Sequence, residues 1–479
     1  MMDEKTKRVL AVFEEINKVP RRSKQEEKIV RWLVDWAKKR DLAVKTDKVS
    51  NVLITVPASK GCEKAPTLVV QGHMDMVCEK TPDSPHDFTK DPIKCIIEGD
   101  WMHADKTTLG ADNGIAIALA LAIAEDPEAA HPKLELLFTV DEETGLTGAN
   151  AIEPGFLTGK VLLNVDSEDE GIFTVGCAGG RDTKSVLPLT YEKAPAGSAF
   201  VRIYVGGLLG GHSGVDIKEH RGNANIILAR LLAELRGKMP FALVTIKGGS
   251  AHNAIPRDAE AVIAVPEKSF EQVGGTVAAF EKVLKNEFPK DNGLKLTALR
   301  DAAAPEAMDK KTTDAVIDLI LALPHGIAAM SAEMEGLVET SNNLAILAVA
   351  DKKLTITTSQ RSSVMSRLDW LTLKVETIAR RGGATPHTGG GYPSWQPNIK
   401  SPLLARCLKV YKELFKVDAK VEAIHAGLEC GIIGAKYDGM DMISFGPTVK
   451  NPHSPDEKMF VPSVGRYYDF MKALFKSYC

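Results

Sequence analysis

Leu134-Glu135-Leu136-Leu137-Phe138-Thr139-Val140-Asp141-Glu142-Glu143-Thr144-Gly145 decides how the chain is read. Its first seven residues form a compact, strongly apolar run, the kind expected of a strand buried on both faces of a mostly parallel sheet. Three consecutive acids follow. Carboxylates crowded at a buried strand end repel one another unless cations offset them, so a metal explains the cluster better than the alternative, a solvated turn. Open α/β sheets place ligands at the carboxyl ends of their strands, so this one position speaks to both fold and site.

Working outward, residues 52–56, 67–70 and 161–165 repeat the apolar pattern, and 114–124 is apolar all round, as in a buried helix joining strands. Near the amino terminus Val9, Leu10, Phe13 and Ile16 recur at helical spacing. Ser23-Lys24-Gln25-Glu26 has the form of a capping box ahead of a helix whose apolar face is Ile29, Leu33 and Trp36. From about Lys184 the texture changes. The segments FVRIYVGGL, FALVTIKGG, AEAVIAV, LKLTALR and LAILAVADKKLTITT read as strands, interleaved with amphipathic helices near 222–236, 268–286 and 364–380. The stretch YPSWQPNIKSP reads as a return crossing, after which a helix at 403–416 and an apolar run at 440–445 resume the first texture. The expected fold is therefore α/β, a mixed, mostly parallel sheet flanked by helices, with an inserted α+β lid. Residues 1–186 and 397–479 form the catalytic domain and 187–396 the insertion, which is long enough to hide two related halves.

A chain of 479 residues is too long for one core. With 60 basic and 63 acidic residues and a net charge of -3, it carries no field that would gather nucleic acid or an anionic membrane. The longest apolar stretch, 115–124, falls short of the roughly 20 residues that cross a bilayer. The charged amino-terminal helix is unlike a signal peptide, so the expected location is the cytoplasm. Seven scattered cysteines without a CxxC pair are expected as reduced thiols.

Four more polar clusters follow strand candidates or open the buried helix. In Gln71-Gly72-His73-Met74-Asp75 the spacing lets an imidazole bind metal while a carboxylate orients it, although a lone strand-end histidine is often structural. Asp112 in LGADNG stands at a helix start, where a simple cap is the bland reading. Asp166 lies in NVDS and His453 in NPHSPDE. Nitrogen and oxygen donors without thiolate suit Zn²⁺, Mn²⁺ or Co²⁺.

Taken in order, GHMDMV, LGADNG, DEETG, NVDSE and NPHSPDE resemble the co-catalytic zinc family of carboxypeptidase G, carnosinase and related dipeptidases. The strings LLNVDSEDEGIFTVGCAGGRDT, GGSAHNAIPRDA, TSQRSS and GGGYPSWQPN are similar to its bacterial aminoacyl-histidine dipeptidase branch, and the likeness spans nearly the whole chain. The resemblance implies that His73 and Asp166 bind one metal, Glu143 and His453 the other, and Asp112 bridges both. It implies that Asp75 orients His73, that Glu142 is the general base for a metal-bridging hydroxide, and that the Asp112-Asn113 peptide is cis. From the lid, His212 would stabilise the oxyanion, Asn253 and Arg361 would hold the substrate's carboxylate, and Gly427 would approach the substrate through its backbone. Without the likeness, His212 reads equally as a turn residue and Arg361 as an ion-pair residue. The implied activity is hydrolysis of unblocked Xaa-His dipeptides of the carnosine type by a homodimer carrying two divalent ions, zinc first, with manganese or cobalt as alternatives. Rival readings are a broad di- or tripeptidase, an N-acyl amino acid deacetylase, or a catalytically silent metal-binding scaffold. Redox chemistry on a dinucleotide is discounted, since no GxGxxG follows a strand.

Overall fold

Strands Leu68–His73 and Leu134–Thr139 are buried at every residue, which is why both read as unbroken apolar runs. The structure, a computed structural model, describes residues 2–479. These divide into two units, one of residues 2–177, 395–423 and 428–479, the other of 178–394 and 424–427. The chain thus enters the second unit nine residues before the expected 187, because Gly179–Pro188 is a strand of that unit's sheet. A short return, 424–427, was not expected at all.

The first unit is built on an eight-stranded sheet. Leu134–Thr139, Leu68–His73, Val161–Asn164 and Asp441–Ser444 lie side by side and parallel at its centre. Antiparallel strands, Val52–Val56 on one side and Ile172–Cys177 on the other, flank them. Helix Ala111–Ala124 is buried along nearly its whole length and packs on strand Leu68–His73 and on helix Glu4–Asn17, so its apolar circumference is fully used. Among the described residues no helix is long and apolar enough to cross a membrane.

The capping box does not form. Helix Glu27–Lys38 has no side-chain cap; Ser23 Oγ instead donates to Asp75 Oδ2 at 2.8 Å, and Glu26 Oε1 accepts the backbone N–H of Asp141 at 2.9 Å. Both side chains are spent on strand ends instead of on their own helix. The expectation of seven free thiols is also corrected. Cys62 and Cys479 form a disulfide, since the last residue of the chain returns beside the loop that precedes Leu68–His73. The other five cysteines are free.

The second unit carries an antiparallel sheet in the order Lys295–Arg300, Ser198–Gly206, Ala259–Pro266, Ala242–Gly248, Val338–Ala350, Lys353–Ser362, Gly179–Pro188, Thr385–Tyr392. It consists of two halves with the same plan. Ser198–Gly206, helix Ala224–Lys238, Ala242–Gly248, Ala259–Pro266, helix Phe270–Glu287 and Lys295–Arg300 make the first. Gly179–Pro188, helix Lys310–Ala322, Val338–Ala350, Lys353–Ser362, helix Met365–Arg381 and Thr385–Tyr392 make the second. The halves join where Ala242–Gly248 meets Val338–Ala350, and a single buried core runs beneath both.

Candidate functional site

Because Leu68–His73, Leu134–Thr139 and Val161–Asn164 are parallel and in register, their carboxyl ends fall together. His73 ends the first, Glu142 and Glu143 follow the second, and Asp166 follows the third. Asp112 arrives from the start of helix Ala111–Ala124, and His453 from the loop before Lys458–Phe460. The Asp112-Asn113 peptide is cis.

These side chains converge. His73 Nε2 lies 3.0 Å from Asp112 Oδ1 and 3.5 Å from Asp166 Oδ1. His453 Nε2 lies 3.0 Å from Asp112 Oδ2 and 3.1 Å from Glu143 Oε2. Two triplets, His73 with Asp112 and Asp166, and Asp112 with Glu143 and His453, each bring three ligand atoms within 4.8 Å of one another. Asp112 belongs to both and turns one oxygen to each. The remaining contacts are supports. Asp75 Oδ1 is 3.4 Å from His73 Nδ1, and its two oxygens accept the backbone N–H groups of Glu142 and Glu143 at 3.0 and 3.3 Å.

The donor set fits divalent cations. Glu143 Oε1 is buried with no hydrogen-bond partner. Burial, reinforced by Glu429, Glu143 and Asp112, pushes Glu142 up to about 8 against the pull of His73. Burial and the neighbouring carboxylates likewise hold Asp166 well above its usual range. Carboxylates packed this closely with two imidazoles, and no thiolate among them, make a site for hard or borderline cations.

In the second unit the four other singled-out residues also come together. His212 pairs across a short ladder with Ala254, and Ser213 N donates to Asn253 O at 2.8 Å. His212 Nδ1 accepts the N–H of Val215 at 3.1 Å, and burial beside Arg361 pulls its pKa down to about 4, so the neutral ring carries its proton on Nε2. Arg361 is buried and donates to Ser213 Oγ at 3.3 Å and to the Tyr392 hydroxyl at 2.7 Å, both neutral oxygens. Among the described residues no carboxylate forms an ion pair with it, so it is not the surface ion-pair residue of the bland reading. Gly427 lies against Tyr392, whose ring would stand 2.6 Å from any Cβ added there.

Sequence reasoning passed over several supports. Glu429 is completely buried, and its Oε2 accepts from Gln71 Nε2 at 2.6 Å and Thr139 Oγ1 at 2.7 Å. Asn164 Nδ2 donates to Gln71 Oε1 at 2.6 Å. Gln71, Thr139 and Asn164 each stand shortly before a metal-ligand candidate on its own strand, so this polar layer ties three strand ends together. The position of Glu429 in HAGLE carries no local signal for that task.

Three comparisons extend the picture. The family described as "Peptidase dimerisation domain" matches residues 204–292, inside the first half of the second unit's sheet. The chain is 40% identical over 466 residues to the cytosol non-specific dipeptidase of Escherichia coli (strain K12), covering 97% of this chain and 96% of that protein. The crystal structure of aminoacylhistidine dipeptidase from Vibrio alginolyticus superposes with a TM-score of 0.91 at 37% identity, covering 100% of this chain and 97% of that one. Aminopeptidase PepT from Bacillus cereus, 16% identical with a TM-score of 0.58 over 100% of this chain and 99% of its own, shares the fold.

Proposed function

We propose, for a chain that belongs to the M20 family of metallopeptidases, that it hydrolyses dipeptides with free termini and prefers histidine at the carboxyl end. The observation that carries the metal-dependent part of this reading is Asp112, which turns one oxygen to His73 and the other to His453, each at 3.0 Å, as would suit a carboxylate shared by two ions; the dipeptide substrate and its histidine preference rest on the likeness to the relatives.

His73 and Asp166 would hold one ion, Glu143 and His453 the other, with Asp112 between them; zinc is the first choice and manganese or cobalt the alternatives. When bound, such a pair polarises the scissile carbonyl and makes an attacking water more acidic. Asp75 would hold the His73 ring through Nδ1, leaving Nε2 for the ligand bond. Glu142 would accept the proton of the attacking water and return it to the departing amine. The neutral His212 ring, a donor through Nε2, would face the negative oxygen that develops on the carbonyl. Arg361, buried and among the described residues without a carboxylate partner, would bind the substrate's free carboxylate with its fork of donors, with Asn253 beside it and the Gly427 backbone close to the peptide.

Two relatives point to neighbouring specificities, one a non-specific dipeptidase and one an aminoacylhistidine dipeptidase. Turnover of carnosine, Gly-His, Ala-Ala, a tripeptide and an N-acetyl amino acid by the metal-loaded enzyme separates them. Faster cleavage of the two histidine dipeptides supports the preference, equal rates support a broad dipeptidase, and cleavage of the acetylated substrate alone would overturn the reading. We also propose a homodimer, in keeping with the matched dimerisation family. The facing edge of Ala242–Gly248 meets Val338–Ala350 of the same chain through the pair Gly248 and Leu347, so we place the contact with a second copy elsewhere on this unit. We propose a cytoplasmic location, in keeping with the description of the E. coli relative as a cytosol dipeptidase.

A further inference from the structure

Glu457 is a buried carboxylate that gathers four consecutive backbone donors at and before Asp112. Its Oε2 accepts Leu109 N at 2.7 Å and Gly110 N at 2.9 Å; its Oε1 accepts Ala111 N at 2.8 Å and Asp112 N at 3.2 Å. On the carbonyl side of the same turn stands Arg21, which is 1% exposed. Its Nη2 donates to Gly110 O at 2.6 Å, and its Nη1 reaches Met74 O and Asp75 O, both at 3.3 Å. The turn is shaped to admit both. Gly110 sits at φ 71°, and a Cβ there would stand 2.4 Å from Arg21 Nη2; at Gly114 it would stand 2.7 Å from the same atom.

We infer that Glu457 and Arg21 are positioning residues that clamp the 109–112 turn from its N–H and C=O faces and thereby fix the carboxylate shared by both ions. The inference rests on the metal reading of Asp112 above. Four N–H groups on one carboxylate form charge-assisted bonds, which are stronger and more directional than neutral ones. A turn held this way cannot shift the backbone that carries the Asp112 side chain without breaking several of them. Glu457 also lies four residues beyond His453, so one loop supplies a ligand candidate and the clamp on its neighbour. Asp75, whose carbonyl Arg21 reaches, orients His73, so the same guanidinium spans from the shared carboxylate to the other histidine's support.

A consequence separates this role from that of an ordinary ligand. Loss of Asp166 should weaken one ion, whereas loss of the clamp should weaken both, because Asp112 serves both. The test is titration of metal-free protein with Zn²⁺ and Co²⁺ alone, read by calorimetry and by the visible Co²⁺ spectrum, in wild type, Glu457→Gln, Arg21→Lys and Asp166→Asn. In Glu457→Gln an amide NH₂ must face two N–H donors. We expect both ions to bind about 10- to 100-fold more weakly than in wild type, the usual effect of removing a support behind a metal ligand, with an altered Co²⁺ spectrum. Arg21→Lys should move in the same direction by less, and Asp166→Asn should affect one ion only. Folded variants that bind two ions with wild-type affinity and spectrum would overturn the clamp. If Glu457→Gln does not fold, Arg21→Lys decides by the same readout. Wild-type protein that binds no ions would overturn the metal reading itself, a distinct failure visible before any variant is compared.

Discussion

Asp75 Oδ1 accepts the backbone N–H of Glu142 at 3.0 Å while lying 3.4 Å from His73 Nδ1. One carboxylate therefore fixes the placement of both a ligand candidate and the proposed base. Its own burial is complete, and Ser23 supplies a further hydrogen bond, so it has little freedom to drift.

Glu142 is held by its backbone and left with its side chain for chemistry. Glu142→Gln is expected to bind two ions as wild type does and to lose about 100-fold or more in kcat. Metal content by atomic emission and turnover of Gly-His check both halves. Near-normal turnover would count against the assignment.

Removal of metal should abolish activity, since in the proposed reaction the ions held by His73, Asp112, Glu143, Asp166 and His453 would polarise the scissile carbonyl and acidify the attacking water. Chelator-treated protein is expected to be inactive, and Zn²⁺, Mn²⁺ or Co²⁺ should restore it. The ions should also raise the unfolding temperature, because they bind the folded site alone. Full turnover in protein verified to be metal-free would sink the mechanism.

Arg361 donates to the hydroxyls of Ser213 and Tyr392 and, among the described residues, pairs with no carboxylate. Arg361→Lys loses the planar fork, and kcat/KM for free-acid dipeptides is expected to fall by about 10- to 100-fold, the usual worth of a hydrogen bond to a charged group. The corresponding dipeptide amides should change little. Parallel assays on acid and amide forms of one dipeptide provide the check, and an equal loss on both would refute carboxylate recognition.

His425 gives the second unit a pH signature. Burial, with Arg361 and His212 nearby, lowers its pKa to about 3, while Nε2 contacts Ser341 Oγ at 2.8 Å. The unfolded chain binds a proton near the ordinary 6.5, so between that value and about 3 the unfolded state holds more protons. Stability from this residue is complete above 6.5, declines as pH falls, and levels off near 3. By pH 5 the loss is about 2 kcal/mol. Urea unfolding at pH 7.5 and 5.0 should show a smaller acid sensitivity in His425→Gln than in wild type; identical sensitivity would contradict the shift.

The metal-ligand candidates were legible because each sits next to a strand or helix whose pattern is local: His73 after LVVQG, Glu143 after LELLFTVDE, Asp166 after VLLNV. Asp75, two residues from His73, was legible in the same way, whereas supports that come from far along the chain were not. Glu457 meets Asp112 across 345 residues, and Cys62 finds Cys479 across 417. Strand Thr385–Tyr392 was invisible for another reason. It lies at a sheet edge, half exposed and rich in glycine, so neither alternation nor an apolar run marks it. The capping box failed because its two polar side chains found stronger partners at Asp75 and Asp141 than at their own helix end. The two-half plan of the insertion lay in the order of strands, which no short sequence window contains.

Strand Asp441–Ser444 lies between Val161–Asn164 and Ile172–Cys177, which are close in the chain but not neighbours in the sheet. A ribosome making this polypeptide therefore produces two strands with an empty slot between them and fills it only some 260 residues later, roughly tens of seconds at usual elongation speeds. Until then the nascent chain exposes two unsatisfied backbone edges, and His453, which emerges still later, cannot yet close the constellation at the strand ends. Assembly of the site must therefore wait for synthesis of residues 441–453, and chaperone dependence should be concentrated in the interval before it.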